Sequence, residues 1–214
     1  MIVKTTAALA GFLFCAGSAA AQIDSTYTRT DTDGACRVVE ESDPDEGGFY
    51  QWVACGGVGG WTLHIDGGEH AQRTGYTRGG TAPVFHQPQV RGNFGSFHSV
   101  VEWRLVSESP TATIHRYYSN IPLDDGSWGR GETLVVTTLT GLGGTEVCPV
   151  AYVNAMMAGG NEIARDAADL LARDFVCGED EIYRLSGARP GEARQIAAGH
   201  GIDVAAVLAN RRQP

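Results

Sequence analysis

Lysine is all but missing from this 214-residue chain: Lys4 is the only one, and every other cation is an arginine. The body therefore has no Schiff-base lysine, no P-loop lysine and no serine–lysine pair. Positive charge is scarce in general. Against 25 Asp and Glu stand 16 Lys and Arg, a formal net charge of −9, and no segment gathers the arginines into a basic patch, so nucleic acid and anionic surfaces are disfavoured partners. Long apolar runs are lacking too. The longest, residues 7–16, falls well short of the roughly 20 residues of a membrane span and follows Lys4 at the N-terminus. It reads as the apolar region of a secretory signal, and Ala19-Ala20-Ala21 before Gln22 is the small-residue cleavage pattern. The sequence thus predicts a signal peptide over 1–21, a mature chain from Gln22 in the periplasm or outside the cell, and no membrane span. Cys15 lies inside the apolar run after Phe14, where a lipidated cysteine needs a small neighbour, and is expected to leave with the leader.

Four cysteines remain, Cys36, Cys55, Cys148 and Cys177, an even number suited to disulfides in an oxidising compartment. Of the three possible pairings, geometry favours one. Cys36 and Cys55 lie symmetrically about the turn-rich Asp43-Pro44-Asp45-Glu46-Gly47-Gly48, so a hairpin would join them. A strand from Cys148 to about residue 155 climbs roughly 23 Å, and a helix over about 161–176 returns roughly 22 Å, which leaves Cys177 beside Cys148.

Glycine-punctuated short strands dominate the body. They are expected over 35–40, 50–55, 61–66, 69–76, 100–106, 112–118, 133–140 and 147–154, with a polar lead-in over 26–33 and a loop over 78–96. Alternation places Trp61, Leu63 and Ile65 on one face and Thr62, His64 and Asp66 on the other. A Gly67-Gly68 turn would then set Asp66 against Glu69 and Ile65 against His70. A four-residue loop over 107–110 would pair Trp103 with Ile114 and Glu102 with His115. One helix, over 161–175, carries an apolar stripe of Ile163, Ala164, Ala167, Leu170, Leu171 and Phe175. Strands followed by a helix, with no βαβ rhythm, indicate an α+β domain over 22–178: an antiparallel sheet or partly closed barrel of about eight short strands with one packed helix. Residues 179–214 form a C-terminal helical hairpin, a tail or appendage.

Catalytic and metal-binding patterns are sparse. His64, Asp66 and Glu69 share the residue types and one face that a zinc site uses, although that face of a hairpin is expected to be solvated. Glu102 and His115, with Arg104 beside them to hold an oxyanion, are the residues from which a periplasmic hydrolase would be built. No activated nucleophile accompanies them. Asp31, Asp33 and Gly34 lack the remaining ligands of a calcium loop, and Gly56-Gly57-Val58-Gly59-Gly60 lacks the spacing of a dinucleotide loop. No cofactor is expected.

Two resemblances add to this reading. Val101-Glu102-Trp103-Arg104, Ala112-Thr113-Ile114-His115-Arg116-Tyr117, Cys148-Pro149-Val150-Ala151-Tyr152-Val153 and Asp174-Phe175-Val176-Cys177-Gly178 resemble an uncharacterised family of small exported bacterial envelope proteins. That resemblance implies scaffold and compartment but no activity. In the tail, Tyr183-Arg184-Leu185, Pro190-Gly191-Glu192, Ile196-Ala197, His200-Gly201-Ile202, Val207-Leu208 and Asn210 resemble the first strand and two helices of a lysin-motif (LysM) module. The likeness implies binding to N-acetylglucosamine-containing polymers such as peptidoglycan. The match is one residue short in two places and ends before the second strand. The function expected from the sequence is an exported, non-catalytic envelope protein that binds a protein or peptidoglycan partner. N-terminal sequencing of the protein recovered from exporting cells should begin at Gln22; a chain that retains Met1 would contradict the leader.

Overall fold

The structure, a computed structural model, describes residues 21–43, 45, 47–92, 94–140, 147–187, 189 and 191–212. The leader over 1–20 with Cys15, Pro44 and Glu46 of the first turn, and Pro190 of the tail lie outside the described residues. In chain order the elements are β1 (Ile23–Arg29), β2 (Cys36–Glu41), β3 (Tyr50–Gly56), β4 (Trp61–Gly68), β5 (Gln72–Arg78), β6 (Phe94–Val106), β7 (Ser109–Pro122), β8 (Trp128–Thr138), β9 (Cys148–Asn154), α1 (Gly160–Leu170), β10 (Tyr183–Leu185), α2 (Glu192–Gly199) and α3 (Val204–Leu208).

They form an α+β fold in three layers. A six-stranded sheet, order β1-β6-β7-β8-β9-β10, occupies the middle, and a four-stranded sheet, β2-β3-β4-β5, covers part of one face. On that side Cys55, Leu63, Ile65 and Tyr76 of the smaller sheet pack against Val101 and Trp103 of β6. The opposite face lies under the helices, where Ala112, Ile114, Leu134, Val136 and Val153 meet Ala164, Ala167, Leu171 and Phe175. Strand alternation sorts the two cores: residues next to each other along β6 and β7 point to opposite layers. Gly57 is required by this packing, because a Cβ there would stand 2.6 Å from Cη2 of Trp103. The glycine-rich 56–60 stretch is thus a tight approach between the layers.

Both disulfides form as the spacing predicts. Cys36 and Cys55 are direct cross-strand partners with Cα atoms 4.0 Å apart, and Cys148 and Cys177 close the β9–α1 return at 5.9 Å. Such bonds suit a chain that folds in an oxidising compartment. Among the described residues no helix is long and apolar enough to cross a membrane.

Several details differ from the sequence reading. β1 overlaps the stretch over 26–33 read as a polar lead-in and begins before it; only Ile23 of it is buried, so it carries little apolar signal. β6 and β7 run to 13 and 14 residues, and β6 takes in the end of the expected 78–96 loop. In the 61–78 hairpin the connection is wider than two residues. Asp66 pairs with Arg73 and Ile65 with Thr74, which avoids setting two carboxylates opposite each other. The 107 hairpin is tighter than expected: Ser107 and Glu108 adopt φ 48 and 68 in a two-residue turn, and the register shifts again between Arg104 and Leu105. Trp103 therefore pairs with Thr113, Glu102 with Ile114, and Val101 with His115.

The tail is built into the domain. Leu185, Ala193 and Ala197 belong to the core beneath α1, and β10 extends the sheet in parallel beside β9. At the other edge Asn210 O accepts from Ile23 N at 2.8 Å, and Arg212 N donates to Ile23 O at 2.9 Å. Helix α1 fastens the whole with two carboxylates one turn apart. Asp169 accepts from Arg104 of β6 (Nε 2.8 Å, Nη2 2.7 Å) and from Nε of Arg211 at 2.6 Å. Asp166 accepts from Arg194 of α2 and pairs with Nη1 of Arg211, each at 2.6 Å. Glu102 joins the group through Arg165 at 2.7 Å, Ser25 at 2.6 Å and Arg104 at 3.4 Å. Burial alone would raise the Glu102 pKa, but these donors and cations outweigh it and hold the carboxyl below its ordinary value. The stabilisation Glu102 supplies is thus present above the ordinary carboxylate range and is lost as pH falls through its folded pKa.

The side chain of Asp169 is only 1% exposed. Asp169→Asn takes from buried Arg104 the carboxylate it holds through two bonds, leaving it Glu102 at 3.4 Å, and should cost about 3 kcal/mol in denaturant unfolding. A loss below about 1 kcal/mol would show that the network does not hold the layers together.

Candidate functional site

The residues singled out from the sequence do not assemble. Glu102 faces the helices, in ion pairs with Arg104 and Arg165, whereas His115, paired with Val101, faces the opposite layer. The one-residue register difference separates the proposed acid–base pair by the thickness of the sheet. His115 is also sealed. It is 1% exposed, lies 4.5 Å from the Phe97 ring, and donates from Nε2 to His98 O at 2.6 Å. Burial drives its pKa down to about 4, against a smaller raising effect of the His98 carbonyl.

His64, Asp66 and Glu69 are likewise apart. His64 is buried, accepts from Trp52 Nε1 at 3.2 Å on Nδ1 and donates from Nε2 to Thr77 at 2.8 Å, so both ring nitrogens are occupied. Burial, with the charge of Arg37, lowers its pKa. Asp66 is buried in a two-bond pair with Arg73, and Glu69 is exposed at the turn. Among the described residues no group of three or more His, Cys, Asp or Glu is placed to hold a metal ion.

Exposed chemistry gathers at the far ends of β6, β7 and β8. The register aligns Phe94 with Asn120 and Arg130, Ser96 with Tyr118 and Glu132, and Pro122 with Trp128. Alternation along β7 puts Tyr118 and Asn120 on the same face as Ile114, but beyond the stretch that packs under the helices. Trp128 is 60% exposed, and its ring meets Phe94 edge-on at 5.9 Å; Phe94 in turn meets His70 at 5.0 Å. Beside them the Arg130 guanidinium lies 4.3 Å over the ring of Tyr118, which also contacts His98 at 5.9 Å. Two-residue spacing on neighbouring strands thus sets two groups of rings, one with a cation, side by side on one face, as a band along the strand ends.

Arg130 also borders a cleft of 330 Å³ with Arg91 on the 79–93 segment and Arg184 on β10. Arg184 is held by Gln89 O, which accepts from Nη1 at 2.7 Å, and lies 5.4 Å over Tyr152. Arg91 is exposed and has no ion-pair partner among the described residues. The carboxylate in the cleft wall, Glu132, is shared between Arg116 at 2.8 Å and Arg130 at 3.2 Å. Sequence reasoning passed over these residues because Arg91, Phe94, Trp128 and Arg130 lie outside every strand it expected. The available signal was Trp128 itself, a tryptophan among Asp124, Asp125, Gly126, Gly129 and Gly131, where no buried core is called for.

The site and fold together define a disulfide-bonded α+β protein with an exposed aromatic and arginine-bearing strand end. No family model matches the chain, and searches of curated proteins and of solved structures return no match.

Because His115 is held neutral, the unfolded chain binds its proton first as pH falls. Its contribution to stability is complete above pH 6.5 and is lost between 6.5 and about 4, on the order of 3 kcal/mol in all. An NMR titration of its ring should show a midpoint near 4; a midpoint above 6 would mean an open imidazole.

Proposed function

We propose that this chain is an exported, non-catalytic protein of the bacterial envelope that binds the cell wall. The signal over 1–21 with cleavage before Gln22 supplies the route, and the two disulfides suit the periplasm or exterior. The observation that carries the reading is the exposed ring of Trp128 with half-buried Phe94 and Tyr118 and the guanidinium of Arg130 beside it, all held on strands. Sugar rings present apolar C–H faces between hydroxyls, and flat aromatic rings flanked by hydrogen-bond donors complement both.

The lysin-motif resemblance implies the same ligand class but a different surface, the tail. Its matched residues do form a strand and two helices, β10, α2 and α3. Their apolar positions are spent on the domain core, and β10 pairs with β9. The aromatic band is therefore the better-exposed surface for a polymer.

Co-sedimentation with purified peptidoglycan separates the two. Trp128→Ala should reduce the bound fraction at least fivefold without changing the unfolding midpoint. Undiminished binding by that variant would remove the band from the site, and no binding by the wild type would redirect the search to a protein partner.

A further inference from the structure

We infer that the cleft beside the aromatic band is a subsite for the free carboxylate of a short peptide. The inference rests on the cell-wall reading and names a second chemical group of that ligand. In an acidic protein, Arg91 and Arg184 line this one small cleft, and Arg130 borders it from the other face of the sheet, where Arg116 and Arg130 already engage its single carboxylate, Glu132. The local balance is cationic where the molecule as a whole is anionic, so the cleft concentrates anions.

One of its arginines is also prepared for the task. Stacking on Tyr152 fixes the plane of Arg184, and Gln89 holds it through the main-chain oxygen at Nη1 (2.7 Å) and Oε1 at Nη2 (3.4 Å). A guanidinium fixed in this way loses little rotamer freedom when it binds a carboxylate through its fork of N–H donors. Arg91, exposed at the mouth, is free to close on the bound group.

The remaining wall decides between anions. Val90, Ile121, Met156 and Leu185 line the same cleft as the arginines. A phosphate is hydrated on every side and gains nothing from these side chains. A peptide terminus carries its carboxylate next to a small apolar side chain, and so matches cation and apolar wall at once. The volume of 330 Å³ admits a chain end and excludes a folded partner. The cleft adjoins the aromatic band through Arg130, which borders both. A polymer whose sugars lie on the rings could thus place a peptide branch among the arginines.

The test is calorimetric titration of the mature protein with acetyl-D-alanyl-D-alanine, its C-terminal amide and inorganic phosphate. The acid should bind, and the amide and phosphate should each bind at least tenfold more weakly. Arg184→Gln and Arg91→Gln should each weaken the acid at least tenfold, with an unchanged near-ultraviolet dichroism spectrum. Equal affinity for acid and amide, equal affinity for phosphate, or unaltered binding by both variants would overturn the assignment. If the wild type sediments with peptidoglycan yet does not bind the acid, the subsite is overturned while the wall-binding reading stands; failure of sedimentation with retained acid binding does the reverse.

Discussion

Two aspartates on one turn of α1 hold this protein together. Asp166 and Asp169 are 4% and 1% exposed at their side chains, and between them they engage β6 through Arg104, α2 through Arg194, and the C-terminal segment through Arg211. Charges so far from water are tolerated only when fully paired, since an ion stripped of solvent and partner costs several kcal/mol. The arrangement is therefore coupled: β6, α1, α2 and the segment at Arg211 must all be in place for both aspartates to be fully paired. Asn210 and Arg212, bonded to Ile23, complete the closure by joining the end of the chain to β1. The network fixes which layers meet, and the apolar cores on either side of the large sheet supply most of the favourable energy.

The reliance on arginine has a structural logic. In this network each guanidinium offers several donors in a plane, and Arg104 and Arg211 each use that fork to reach more than one acceptor. Lysine, a single point of charge, could not divide itself between two buried partners in the same way. Two sets of arginines stand apart. Arg104, Arg165, Arg194 and Arg211 are committed to carboxylates of the scaffold, whereas Arg91, Arg130 and Arg184 border the cleft at the far strand ends, Arg130 stacked on Tyr118 on one face of the sheet and Arg184 on Tyr152 on the other. Rigidity in the first group lets the second be presented on fixed strands, together with Trp128 and Phe94.

What could be read from the sequence was governed by distance along the chain. The Cys36–Cys55 hairpin, the pairing of Cys148 with Cys177, the alternation of His64 and Asp66 with Leu63 and Ile65, and the stripe of α1 follow from local periodicity and are present, although the helix expected over 161–175 stops at Leu170, and Leu171 and Phe175 reach the core from the segment after it. The register of the 107 hairpin was not legible, because two non-glycine residues take a left-handed turn and a second shift follows at Arg104. That single position moves Glu102 and His115 to opposite faces, and with them the only acid–base pair the sequence offered. Strand ends were equally hidden. Beyond the helical cover β6, β7 and β8 no longer alternate apolar with polar, so Phe94 and Trp128 carried no strand signal, and the strand expected over 112–118 stopped at Tyr118. The partnership of Asp166 and Asp169 with arginines up to 65 residues away is a property of the assembled layers alone.

Hydrogen exchange of the mature protein, free and bound to peptidoglycan, tests the central claim that a clasped scaffold presents its binding surface at the far strand ends. The account predicts slow exchange through β10, α2 and α3 in the free protein, and protection gained on binding only over 94–98, 117–122 and 128–133 with the neighbouring cleft. Fast exchange of the tail before binding, or protection gained there and not at the strand ends, would contradict it.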